Sequence, residues 1–163
     1  MGAMLAALGV VLLVLGTVID VLSLTAAALA AIPLYIALRE MGYKRATLVY
    51  LVTSVLSVLL FPQSEAALSY ALILGLYTLL KMPMERVHRY AAIPLKLLFF
   101  NATFTVIELV GIFLFSMQWL AWELYAVTYL VGNVVFLLYD FVLDRMIILY
   151  EARLRARIAH FFE

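Results

Sequence analysis

Polar residues punctuate this chain at intervals close to the thickness of a membrane. The first apolar run, Met4–Leu22, closes around Asp20 and Ser23. The second, Leu24–Leu38, stops at Arg39-Glu40, and the third, Ala46–Phe61, stops at Pro62-Gln63-Ser64-Glu65. The fourth is Ala66–Leu80, closed by Lys81 and Pro83. The fifth is Ala91–Phe115, and the sixth runs from about Leu120 to Phe141. A helix needs about 20 residues to cross the hydrocarbon core. The pattern therefore predicts an all-α integral membrane protein with six transmembrane helices and short loops. Five is the fallback, because the second and fourth runs are short and one could be tilted or re-entrant. The first run lacks a basic leader and a small-residue cleavage site, so it reads as a span rather than a cleaved signal.

The transmembrane domain is expected over residues 1–143, and residues 144–163 form a separate tail. Ile147, Tyr150, Leu154, Ile158 and Phe161 repeat there at helical spacing. Arg153 and Arg157 occupy another face, and Glu151 can pair with Arg155 one turn on. The tail reads as a cytoplasmic amphipathic extension. Its two readings are an interfacial anchor held by anionic headgroups and a docking surface for a partner.

Composition agrees with lipid as the solvent. Hydrophobic residues make up 68% and charged residues 13%, against about 45–50% and about 25% in soluble domains. Mean hydropathy is +1.15. A soluble enzyme and a nucleic-acid binder are excluded on these grounds. The net charge of +1 gives no bulk attraction for polyanions. Absence of Cys excludes disulfides and thiolate metal sites.

Charge placement predicts orientation. Arg39, Lys44 and Arg45 lie between runs two and three. Lys81, Arg86, Arg89 and Lys96 lie between four and five or just inside five. Arg145, Arg153, Arg155 and Arg157 follow six. These are all 11 basic side chains, and six alternating spans put them on one side. By the positive-inside rule that side is cytoplasmic, with both termini. The opposite loops hold Asp20, Glu65 and Glu123. Trp119 and Trp122 fall at the outer interface, where indole rings are favoured.

Small residues mark helix contacts. Gly2, Ala6, Gly9 and Gly16 follow one stripe of the first run, and Ala3 and Ala7 form an adjacent small-xxx-small pair. The second run is rich in Ala, with Ala27 and Ala31 among them. Two readings stay open for these surfaces: internal packing, or a face for another membrane subunit.

Polar groups at membrane depth carry the functional information, because each is expensive in hydrocarbon. Asn101, Thr105 and Glu108 share one face of the fifth run. Lys96 and Asp140 are expected at the same depth as a structural ion pair, and Asn101 and Asn133 as an interhelical hydrogen bond. Glu108 has no basic residue on the outer side to neutralise it. It is expected to be protonated, bonded to hydroxyls such as Thr105, or facing a polar cavity or a cation. Trp122, Tyr125 and Tyr129 lie at similar depth on the sixth run, and Ser54, Ser57, Ser69 and Tyr70 on the third and fourth. Aromatic walls with a few polar groups describe a small-molecule site. They equally describe a membrane core with an aromatic belt. The acid excess outside favours a neutral or cationic solute. No nucleotide-binding Gly-Lys-Ser/Thr loop, His-Glu-x-x-His or Gly-x-Ser-x-Gly is present, so no enzyme, cofactor or metal is expected.

Six short-looped helices, small residues on the first two and a pocket-like outer half resemble the substrate-binding S-component of energy-coupling-factor transporters. Ile19-Asp20-Val21-Leu22-Ser23-Leu24, before an Ala-rich helix with Pro33, is similar to the first loop of some members. Ala3 and Ala7 fall where that family uses Ala-x-x-x-Ala to meet a transmembrane partner. Leu95-Lys96-Leu97-Leu98-Phe99-Phe100-Asn101, after the run Leu56–Lys81, looks like a group of small bacterial membrane proteins. The resemblance implies capture of a vitamin or metal ion outside the cell by a subunit working with a coupling subunit and two cytoplasmic ATPases. The candidate solute residues are Glu108, Thr105, Asn101, Tyr125, Tyr129, Trp122, Asp20 and Glu65. Ala3, Ala7, Ala27, Ala31, Arg153 and Arg157 are the candidate partner contacts. An S-component-like fold also occurs in a bacterial cell-shape scaffold, so an assembly protein without substrate is the rival reading. A lipid-handling protein is a third.

Overall fold

A computed structural model describes residues 1–19, 22–85, 89–115, 122–150 and 152. Every regular element among them is helical. The chain divides into two units, Met1–Gln118 and Trp119–Glu163.

The first unit holds α1 (Gly2–Val18), α2 (Ser23–Met41), α3 (Tyr43–Leu60), α4 (Glu65–Ser69), α5 (Gly75–Glu85) and α6 (Arg89–Phe115). Between α4 and α5 the turn Tyr70–Leu74 is π-helical, and the three pieces form one 21-residue rod, Glu65–Glu85. The second unit holds α7 (Trp122–Leu149).

Among the described residues, five helices are long and apolar enough to cross a membrane: α2, α3, the Glu65–Glu85 rod, α6 and α7. The chain reads as a multi-pass membrane protein. The second and fourth apolar runs, short by sequence, are thus embedded in helices of 19 and 21 residues. The reason is local. Arg39, Glu40, Lys44 and Arg45 are good helix formers, so helix continues through them on both sides. Only Gly42, at φ +82°, breaks it. A left-handed residue without Cβ costs little at that position. Helix α1 is apolar and 17 residues long.

Helix α2 is the hub of the first unit, packing against α1, α3, α4 and α5. Its alanines 26, 27, 30, 31 and 37 are buried with Leu34 and Leu38. In lipid there is no hydrophobic drive between helices, so close backbone approach supplies the packing energy. The α1 stripe serves this purpose: Gly16 faces Ala26 and Ala66, Gly9 faces Thr53, and Gly2 faces Met41 and Val49. Helix α3 is polar inward and apolar outward. Thr53, Ser54 and Ser57 are buried, while Leu48, Leu51, Val55 and Leu59 are exposed.

The π-turn has a visible support. A wider i→i+5 ring disturbs the ordinary bonding of nearby carbonyls. The Tyr50 hydroxyl donates to the Ala71 carbonyl within that turn. Gly75 lets the segments close up, since a Cβ there would lie 2.8 Å from the Tyr70 carbonyl and 3.1 Å from the Tyr50 ring.

In the second unit, Thr128 and Asn133 return their polar hydrogens to the Leu124 and Tyr129 carbonyls at 2.8 Å. Arg145 sits 5.0 Å over the Phe141 ring. The first residues of the expected tail, 144–149, continue α7, and residues 151 and 153–163, with Arg153 and Arg157, lie outside the described residues.

Candidate functional site

The end of α1, the start of α2 and the loop between α3 and α4 enclose a cavity of about 650 Å³. Gly16 and Thr17 come from α1 and Ser23 from α2. The stretch from Leu60 to Glu65 closes the opposite side.

The sequence explains each piece. Pro62 cannot continue the hydrogen-bond ladder of α3, and Ser64 starts the next helix. Its Oγ accepts from the Ala67 N–H at 3.3 Å, a helix N-cap. Ser64 is buried, and its Oγ lies 2.7 Å from Thr17 Oγ1. Thr17 in turn donates to the Leu13 carbonyl at 2.9 Å. This hydroxyl link fastens the end of α1 to the cap of α4 across 47 residues of sequence. The close approach rests on Gly16, whose absent side chain lets Ala26 and Ala66 sit against the α1 backbone. Glu65 is exposed at the cavity. The site offers hydroxyls, one amide and one carboxylate beside the apolar Leu60, Phe61 and Pro62. Its size and polar groups are of the kind that hold a small polar solute.

Of the eight sequence-predicted solute residues, Glu65 lines this cavity. Asp20 lies outside the described residues, between Ile19 and Leu22. Asn101, Thr105 and Glu108 lie together on α6 of the first unit. Thr105 gives its hydrogen to the Asn101 carbonyl at 2.7 Å, not to Glu108, and Asn101 donates to the Leu97 carbonyl at 2.9 Å. These bonds satisfy polar groups within one helix. Trp122, Tyr125 and Tyr129 lie on α7 of the second unit. Trp122 is 77% exposed, while the Tyr125 hydroxyl is buried without a hydrogen-bond partner among the described residues.

The small-residue expectations separate cleanly. Ala3 and Ala7 are exposed on α1. Ala27 and Ala31 are fully buried, so their partner-contact assignment is corrected to internal packing: the chain's own helices cover them.

A second polar cluster lies at the far end of the Glu65–Glu85 rod. Lys81 and Lys96 are both buried, and each Nζ lies 3.1 Å from Glu85 Oε1. Lys81 also stands 5.6 Å over the Tyr77 ring. Glu85 is a partner for Lys96 that sequence reasoning missed. Its i,i+4 spacing from Lys81 was the available signal. Asp140, expected opposite Lys96, lies on α7 of the second unit.

Sequence reasoning also passed over Thr17, Ser23, Gln63 and Ser64 as lining residues. The signal was present in the polar breaks that end runs one and three. Compared with known protein families, curated proteins and solved structures, the chain matches none.

Proposed function

We propose that this chain is the substrate-capture subunit of a membrane uptake system for a small polar solute, with six crossings and both termini in the cytoplasm. The observation that carries this reading is the cavity of about 650 Å³ where α1, α2, α3 and α4 meet. Alternating spans put that end opposite every basic residue of the sequence, and the positive-inside rule then makes it the outer end. Thr17, Ser23, Gln63, Ser64 and Glu65 supply polar groups that can orient a small molecule beside the apolar Leu60, Phe61 and Pro62. The chain carries no nucleotide-binding loop, so energy comes from separate coupling and ATPase subunits. Ala3 and Ala7, exposed near the opposite end of α1, fit close contact with a partner helix.

Native mass spectrometry of the gently extracted protein tests this. The expected spectrum carries an added mass of a few hundred daltons, lost in Ser23→Phe, which fills the cavity. Circular dichroism verifies that the variant is folded. A bare wild-type chain, or a bound mass that persists in Ser23→Phe, would overturn the assignment.

A further inference from the structure

The hydrogen-bonding capacity of the cavity is one-sided. Thr17 has a single hydroxyl hydrogen, and it goes to the Leu13 carbonyl. The contact between Thr17 Oγ1 and Ser64 Oγ at 2.7 Å must therefore be donated by Ser64. Ser64 Oγ meanwhile accepts the Ala67 N–H. Both hydroxyl hydrogens are committed, yet each oxygen keeps one lone pair. At this link the cavity can accept hydrogen bonds and cannot give them.

Glu65 adds two more acceptor oxygens and a negative charge. Among the described lining residues there is no Lys, Arg or His to answer it. Ser23 and Gln63 can act either way. The remaining wall, with Leu60, Phe61 and Pro62, is apolar. The volume is many times the roughly 30 Å³ share of one water, so the space suits an organic body rather than a bare ion.

We propose that the solute is an organic ammonium: a protonated amine on a compact apolar or aromatic body. The ammonium donates to Glu65 and to the free lone pairs of Thr17 and Ser64. Its body lies against Leu60, Phe61 and Pro62, where the Phe61 ring also favours a cation. A carboxylate or phosphate solute would instead meet the Glu65 charge and oxygen lone pairs. The inference rests on the capture reading and names its solute class.

Three probes of matched shape and different charge test it: benzylammonium, benzyl alcohol and benzoate, titrated calorimetrically into the full chain in nanodiscs. Charge-assisted hydrogen bonds are the stronger kind. Benzylammonium is expected to bind about tenfold more tightly than benzyl alcohol, and benzoate not measurably. Glu65→Gln should erase the tenfold preference. Benzoate binding as well as the amine, or an amine preference that survives Glu65→Gln, would overturn the ammonium class. Alcohol binding that Ser23→Phe abolishes, without amine preference, would overturn the class while capture stands. Binding of none of the three would overturn the class too, and the native mass measurement then decides separately whether capture falls with it.

Discussion

Replacing Gly16 by alanine is the sharpest available test of the helix packing that builds the cavity. A Cβ at Gly16 would lie 2.4 Å from the Ala26 Cβ, 3.3 Å from the Ala66 Cβ and 3.4 Å from the Ser23 carbonyl. Ordinary carbon–carbon contact is about 3.5–4 Å, so α1 and α2 must part by about 1 Å. Neither methyl has a rotamer to escape into, because both are fixed to helix backbones. Overpacking of this kind costs about 1–3 kcal/mol, and the absence of any flexible neighbour puts Gly16→Ala at the upper end. Higher helix propensity returns about 1 kcal/mol. A net loss of about 2 kcal/mol remains. Gly9→Ala is the internal comparison. Its Cβ would meet Thr53 Cγ2 at 3.0 Å, a milder overlap than the 2.4 Å between Gly16 and Ala26. Its cost should be largely offset by propensity, leaving a change under about 1 kcal/mol. The assay is reversible unfolding in mixed detergent micelles, followed by near-ultraviolet circular dichroism. Equal stability of Gly16→Ala and the wild type, or a larger loss for Gly9→Ala, would refute the described α1–α2 approach.

Three further outcomes are expected. Ser64→Ala removes both the α4 N-cap and the donor to Thr17, and should cost about 1–2 kcal/mol in the same assay; an unchanged midpoint would contradict the link. Tyr50→Phe strips the hydroxyl from the Ala71 carbonyl inside the π-turn and should cost about 1–2 kcal/mol. Amide hydrogen exchange should quicken locally across Tyr70–Leu74, and unaltered protection there would count against the support role. Ala27→Leu should destabilise the protein by about 1–3 kcal/mol through overpacking, whereas Ala3→Leu should stay within about 0.5 kcal/mol. The reverse order would contradict their burial.

Much of the helical organisation was legible in the sequence, for identifiable reasons. Apolar runs cut by Pro62-Gln63-Ser64-Glu65 and by the charged residues 39–45 locate the elements, because charged and clustered polar side chains are costly inside hydrocarbon. Their ends were less legible. Arg39, Glu40, Lys44 and Arg45 are polar yet helix-forming, so the chain stays helical up to Gly42 on one side and from Tyr43 on the other. The π-turn was invisible, since Tyr70–Leu74 carries no composition that separates it from α-helix. It depends on Tyr50, 21 residues earlier, and on the space beside Gly75. The cavity was half visible. Glu65 drew attention through its charge, but Thr17 and Ser64 act together only because α1 and α4 meet at Gly16. Periodicity along one helix says which residues share a face. It does not say which level of one helix meets which level of another. The small-residue pattern shows the same limit: Ala3-Ala7 and Ala27-Ala31 have identical spacing, yet the first pair is exposed and the second is buried.

Capture from outside, as proposed, requires the cavity to face the outer solution. The chain has no native cysteine, so single cysteines report without background. Gln63→Cys places a thiol at the cavity, and Lys44→Cys places one on an exposed position at the start of α3. Intact cells are treated with a membrane-impermeant maleimide, before and after permeabilisation. Gln63→Cys should be labelled in intact cells and Lys44→Cys only after permeabilisation. Labelling in the opposite order would place the cavity in the cytoplasm and contradict capture from outside.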